Sequence, residues 1–161
     1  MQPPAIIVTT LQDLGFNWPE SDEEKLYGVS LAWQAFHPHL DAIMARLDGA
    51  AQGVWTQNSG TPVDAFRDEW SHTDGLLTAL ADGVAGAQVV APLLMISSAV
   101  VLVLKIAVTV QVVVFLVQTA IAVAEAFATG GASLALIALW RAISGRLINL
   151  AFSLAMVAIL G

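Results

Sequence analysis

The sequence predicts an all-α protein: a helical bundle in which a kinked helical hairpin is followed by two long apolar helices. Three observations carry this expectation. Between Leu26 and Leu47 the apolar residues advance by threes and fours, the period of one helical face. Helix-start signals stand at Ser21 with Glu24, which has capping-box spacing, and at Thr61, Pro62 and Asp64, which read as an N-cap, a proline at the first helical position and an early acid. From Leu93 to about Ala128 the only charges are Lys105 and Glu125. No strand pattern competes, although Val108 to Val114 is β-prone by propensity.

The 161 residues read as a single domain in three parts: an arm over 1–20, an amphipathic hairpin over 21–90 and an apolar helical pair over 91–161. Pro3, Pro4, Gly15 and Pro19 make the first 20 residues an extended arm with little helix, its Phe16 and Trp18 packing on the helices. The first hairpin helix runs from Asp22 to about Gly53 through Trp33, Phe36, Leu40 and Ile43, with a bend around Phe36 to Pro38 where the proline removes a backbone bond. Near its end Gly49 and Gly53 lie four apart, a spacing that suits either close helix approach or ordinary small-residue packing. After the polar turn that follows Trp55, the second helix runs from Pro62 with Phe66, Trp70, Leu77, Leu80 and Val84 on one side and Arg67, Asp68, Asp74 and Asp82 mostly elsewhere.

Beyond Gly83, Gly86 and Pro92 the character turns almost wholly apolar, and the third and fourth helices are expected to start there. Gln111, Gln118 and Glu125 fall at seven-residue spacing, a narrow polar seam on an apolar helix. Thr129, Gly130 and Gly131 form a break, and Ser133 to Leu160 gives a fourth helix whose Arg141, Ser144, Gly145, Asn149 and Ser153 share one arc. Residues 83–104 and 106–124 are both uncharged, and each is about the ~20 residues a bilayer span requires. Lys105 between them costs roughly 2.5–3.5 kcal/mol at mid-membrane, which so apolar a run offsets. Against insertion stand Gly86, Pro92, Ser97 and Ser98 inside the run, the lack of aromatic belts and the short uncharged stretch 147–160. The primary expectation is therefore that these helices bury their apolar faces against the hairpin, each other or partner helices. The alternative is a membrane-inserting channel or anchor formed by helices 83–160, with Lys105, Gln111, Gln118 and Glu125 along its pore or seam.

Composition narrows the function. Hydrophobic residues make up 57% of the chain against 12% charged, so much of the surface must meet something apolar. Residues 1–90 carry a net charge of about −9 and residues 91–161 about +2. Without basic clusters to neutralise phosphates, nucleic acid is not an expected partner. With no cysteine, disulfides and thiolate-bound zinc are excluded and the chain is indifferent to redox compartment. Met1 to Leu14 lacks the basic n-region of a secretory signal.

No catalytic constellation is evident. His37 and His39 flank Pro38, but residues two apart on a helix point to different faces and no third metal ligand lies nearby. His72 beside Asp68, Glu69 and Asp74 reads as a solvated helix face. There is no nucleophile elbow, no paired-histidine zinc motif and no phosphate-binding spacing around Gly130-Gly131. A non-enzymatic protein without cofactor or metal is therefore expected. Trp33 and Trp70 read as core anchors, whereas Trp55, at the hairpin tip, is the residue most readily assigned to a partner surface.

Several segments together resemble the WXG100-like helical domains of actinobacterial type VII (ESX) secretion: Gly15-Phe16-Asn17-Trp18-Pro19-Glu20 before the acidic cap, then Trp33, Val54-Trp55, Ala65-Phe66 and Trp70. The resemblance covers essentially the whole chain and extends to the N-terminal domains of polymorphic toxins, including a channel-forming mycobacterial one. It implies a secreted or cell-surface protein exported without a signal peptide, and a small helical WXG100-type protein or the secretion machinery as partner in a homo- or hetero-oligomer. Trp55, Gly60, Phe66 and Trp70 would then form the partner-binding site. Two departures stand out. Trp55 is followed by Thr56, Gln57, Asn58 and Ser59 before Gly60, which stretches the Trp-x-Gly turn. The family's secretion signal pairs a tyrosine with an acid four residues on, but Tyr27 is followed at that distance by Leu31, so the signal has to come from a partner.

Overall fold

The computed structural model describes residues 1–72 and 75–160. Among the described residues there are five α-helices, α1 Ala5–Asp13, α2 Glu23–Gln57, α3 Thr61–Trp70, α4 Leu76–Glu125 and α5 Ala135–Leu160, with a 3-10 turn at Ala132–Leu134 before α5. The all-α expectation holds, and no strand occurs among the described residues, Val108 to Val114 included. The chain packs as two compact units, one of residues 1–24 with 96 onward and the other Lys25–Met95.

In the first unit, Ile7 and Leu11 of α1, Val108 and Val112 of α4 and Ile148 of α5 form the buried core, flanked by Leu14, Phe16, Trp18, Leu104, Leu116 and Phe152. Phe16 and Phe152 stack with ring centroids 6.1 Å apart. Helix α1 corrects the expectation of an extended arm. Its β-branched run of isoleucine, valine and threonine is a poor helix former. Two things outweigh that: Ile7, Thr10 and Leu11 share one buried face, and Gly15 closes the helix at φ 94°. The Gly15 N–H donates to Gln12 O at 2.9 Å and the Phe16 N–H to Leu11 O at 3.1 Å, the paired bonds of a Schellman cap. Arg141 also donates to Asp13 O at this helix end.

At the end of α4 the expected break is present. Gly130 and Gly131 adopt φ 59° and 89°, and Ser133 Oγ donates to Ala122 O at 2.7 Å, satisfying a carbonyl near the helix end.

The second unit has a thinner interior, in which Ala51, Val84, Ala87, Ala91 and Ser30 are buried. These small residues allow α2 and α4 to approach closely enough for Ser30 Oγ to donate to Ala91 O at 2.7 Å. Several boundaries differ from expectation. The helix assignment of α2 is unbroken through Pro38 and that of α4 through Pro92, so neither proline ends a helix. The second hairpin helix, expected to run on past Trp70, stops there, and a new helix begins at Leu76. Gly75 accounts for the restart: a Cβ there would lie 2.9 Å from His72 O, and its own carbonyl accepts the Ala79 N–H at 3.2 Å. The expected placement of Asp74 on the polar face lies outside the described residues. A Cβ added at Gly49 or Gly53 would meet nothing within 4 Å, so neither glycine marks a close approach.

Of the expected burial against the hairpin, each other or partner helices, the apolar helices achieve one seam within the chain itself. Leu76–Glu125 and Ala132–Leu160 are each long and apolar enough to cross a membrane, yet only 22% and 11% of their most apolar windows are buried.

Candidate functional site

The turn between α2 and α3 follows from its sequence. Asn58 donates from both backbone and side chain to Val54 O, at 3.1 and 2.9 Å, and Thr56 Oγ1 donates to Gln52 O at 2.9 Å, so the last carbonyls of α2 are answered locally. Gly60, at φ 119°, then reverses the chain into α3. It occupies the N-cap position expected for Thr61, with Thr61 and Pro62 as the first helical residues, and its carbonyl accepts from Val63 and Asp64.

This turn brings three of the expected partner-binding residues together. Phe66 and Trp70, four apart on α3, present one face to Trp55 of α2. The Trp55–Phe66 centroids are 6.0 Å apart with planes tilted 46°, and Phe66–Trp70 are 5.9 Å apart at 35°. Asp48 anchors the cluster from α2: one carboxylate oxygen accepts from the Trp70 indole N–H at 3.3 Å and the other from Gln52 at 2.7 Å. Trp55 and Trp70 are half-buried and Phe66 is 39% exposed. Trp70 therefore belongs with Trp55 in a surface cluster and is not a core anchor. Trp33 is likewise half-buried and meets exposed Phe36 edge-on at 5.9 Å. Asp64, Asp68 and Glu69 lie exposed beside the cluster with Arg67 among them, so the patch is apolar with an acidic border.

The residues of the polar seam fare differently. Gln111 is half-buried and donates to Ser144 Oγ at 3.0 Å, tying α4 to α5. Gln118 is half-buried, whereas Glu125 is exposed at the end of α4. The arc expected on α5 divides, Ser144 turning inward while Asn149 and Ser153 are exposed. Lys105 is buried and donates from Nζ to Glu23 Oε2 at 2.5 Å, the two side chains being 5% and 6% exposed. Glu23 also accepts from the amino terminus, and its backbone carbonyl accepts from Ser98 Oγ at 2.7 Å. The Lys105 ammonium, aided by the amino terminus, holds the Glu23 carboxyl down at about 2. Nothing in the sequence singles out Glu23. Its partner is 82 positions away, and no local pattern signals the pairing.

The histidines diverge as their spacing implies. His37 meets Gln88 and lies 3.5 Å from Asp41, while His39 donates to Ala35 O of its own helix. Among the described residues no group of three metal-ligating side chains comes together. A family model described as a WXG100-like domain matches residues 2–147. No curated protein and no solved structure matches the chain.

Proposed function

Because the chain belongs to the WXG100-like family, we propose that it is a targeting and protein-interaction module of type VII secretion, and that it acts by docking and not by catalysis. The observation that carries this reading is the Trp55–Phe66–Trp70 cluster, an aromatic patch held at a turn by Asp48 and left partly open to solvent. Aromatic residues so placed are the usual anchors of protein interfaces. The partner of this reading is a small helical WXG100-type protein, whose apolar helix face covers the patch, or the export machinery itself.

Tyr27 lacks an acid four residues on, so in this reading the partner supplies the export signal and the pair leaves the cell together. The destination is the cell surface or the medium, reached without a signal peptide. The same reading makes the chain an N-terminal module of the kind that precedes a secreted toxin domain.

Co-expression with small helical WXG100-type proteins encoded beside it tests the reading. One of them should co-purify with the wild-type chain and appear with it in the culture medium. The double variant Trp55→Ala, Phe66→Ala should lose both while keeping its helical circular dichroism. Undiminished capture by that variant overturns the docking site.

A further inference from the structure

In the first unit, α4 reverses the usual polarity of a protein surface. Along α4 from Ile96 to Ala124, every exposed residue is apolar, and every polar side chain, from Ser97 to Thr119, is buried or half-buried. Several of these inward groups are answered within the unit: Lys105 by Glu23, Ser98 by Glu23 O, Thr109 by Lys105 O and Gln111 by Ser144. The apolar surface continues around the turn, where Phe127 is 99% exposed, and onto α5, where Leu150, Leu154 and Val157 are exposed. Between the two helices runs a groove of about 380 Å³ lined by Ala99, Val103, Ala107, Ala151, Leu154 and Ala158 among others, without one polar side chain.

We propose that this face of α4 and α5 seats in the hydrocarbon of a lipid bilayer. The exposed apolar length, roughly 40 Å of helix at 1.5 Å per residue, exceeds the ~30 Å thickness of a bilayer core. A protein interface sets a fully buried centre inside a polar rim, but α4 has no exposed polar position over this length. Hydrocarbon, by contrast, demands that polar side chains turn inward and find partners in the protein, as Lys105 does in Glu23. The alkyl-lined groove matches an acyl chain, which needs width and no hydrogen bond. On α5, apart from the exposed Arg141, which donates to Asp13 O of α1, the exposed polar side chains Arg146, Asn149 and Ser153 recur at three and four residues, a stripe that bounds the apolar face. Arg146 is long enough to reach the headgroup level from that edge.

The absence of cysteine makes a direct test simple. The full chain carrying Val110→Cys, at a position 56% exposed on α4, is labelled with an environment-sensitive fluorophore and mixed with phosphatidylethanolamine–phosphatidylglycerol vesicles. Gln34→Cys, exposed on α2, serves as the aqueous control. Vesicles should shift the Val110 label to apolar emission and cut its quenching by aqueous iodide at least about fivefold, leaving the Gln34 label unchanged. A Val110→Glu chain of unchanged helicity should float with vesicles at least about tenfold less than wild type. Should Val110→Glu fail to fold, the labelled chains decide alone. Equal iodide quenching with and without vesicles overturns the proposal. So does a label already shielded in lipid-free buffer and unaltered by vesicles, which assigns the face to a second copy. Shielding by a small helical WXG100-type protein that vesicles do not displace overturns it in favour of a protein partner.

Discussion

The two units use the same helical period to opposite ends. In the first, α4 hides its polar side chains from Ser97 to Thr119, pairing Lys105 with Glu23 and Gln111 with Ser144, and exposes valine, leucine and isoleucine. The second exposes Asp64, Asp68 and Glu69, buries little beyond alanine, Ser30 and Val84 where α2 meets α4, and gathers aromatics at a turn. The contrast shows that amphipathic spacing alone does not determine which face of a helix meets water. In α4, Ser98, Lys105, Thr109 and Gln111 turn inward to groups that answer them, whereas Thr119 Oγ1 turns inward without a partner.

The largest effect expected from breaking this contrast follows Lys105→Ala. It leaves Glu23 buried against α4 without its main cation, at a cost of about 3–5 kcal/mol. Amide hydrogen exchange should quicken in residues 1–24 and 96–160 and stay near wild type in 25–95. Core truncation should separate the units next. Leu11→Ala, at a fully buried position, should cost about 2–5 kcal/mol in denaturant unfolding, and Val84→Ala in the second unit roughly half as much.

Acid should act on the first unit through Glu23. Its carboxyl is lowered from 4.5 unfolded to about 2 folded, so its stabilisation is complete above the unfolded value and drains away as pH falls toward 2. A loss of roughly 1–3 kcal/mol is expected across that window. Glu23→Gln should flatten the pH dependence. The smallest effect is a gain: Gly53→Ala, where nothing lies within 4 Å of the added carbon, should stabilise the second unit by about 0.5–1 kcal/mol in thermal unfolding.

Much of this fold is written locally. The start of α2, the Thr61-Pro62 start of α3 and the Gly130-Gly131 break each act over a few residues, and each lies within a residue of its expected place, whereas α2 runs four residues past its expected end to Gln57. The features that differ depend on distant contacts or on competing local signals. The arm looks extended from sequence because of Pro3, Pro4, Gly15 and Pro19, yet the prolines fall outside α1, Gly15 caps it, and burial against Val108, Val112 and Ile148 holds it. Pro92 looks like a boundary between helices, yet α4 continues through it, as α2 does through Pro38, and Ser30 and Ala91 join the two helices. Of the aromatic cluster only Trp55 reads as partner-facing from its place at the turn, Phe66 and Trp70 joining it through the family resemblance, and the structure brings the three together. Asp48 beneath them is not legible, since its contact with Trp70 crosses the hairpin.

If the aromatic hairpin tip is the docking handle, its removal must show in the affinity of the complex itself. Calorimetric titration of the full chain with its co-purifying small helical WXG100-type partner reads that affinity. Trp55→Ala with Phe66→Ala should weaken binding by about a hundredfold or more at unchanged helicity. Binding within a factor of about three of wild type (under ~1 kcal/mol) would place the handle elsewhere on the chain.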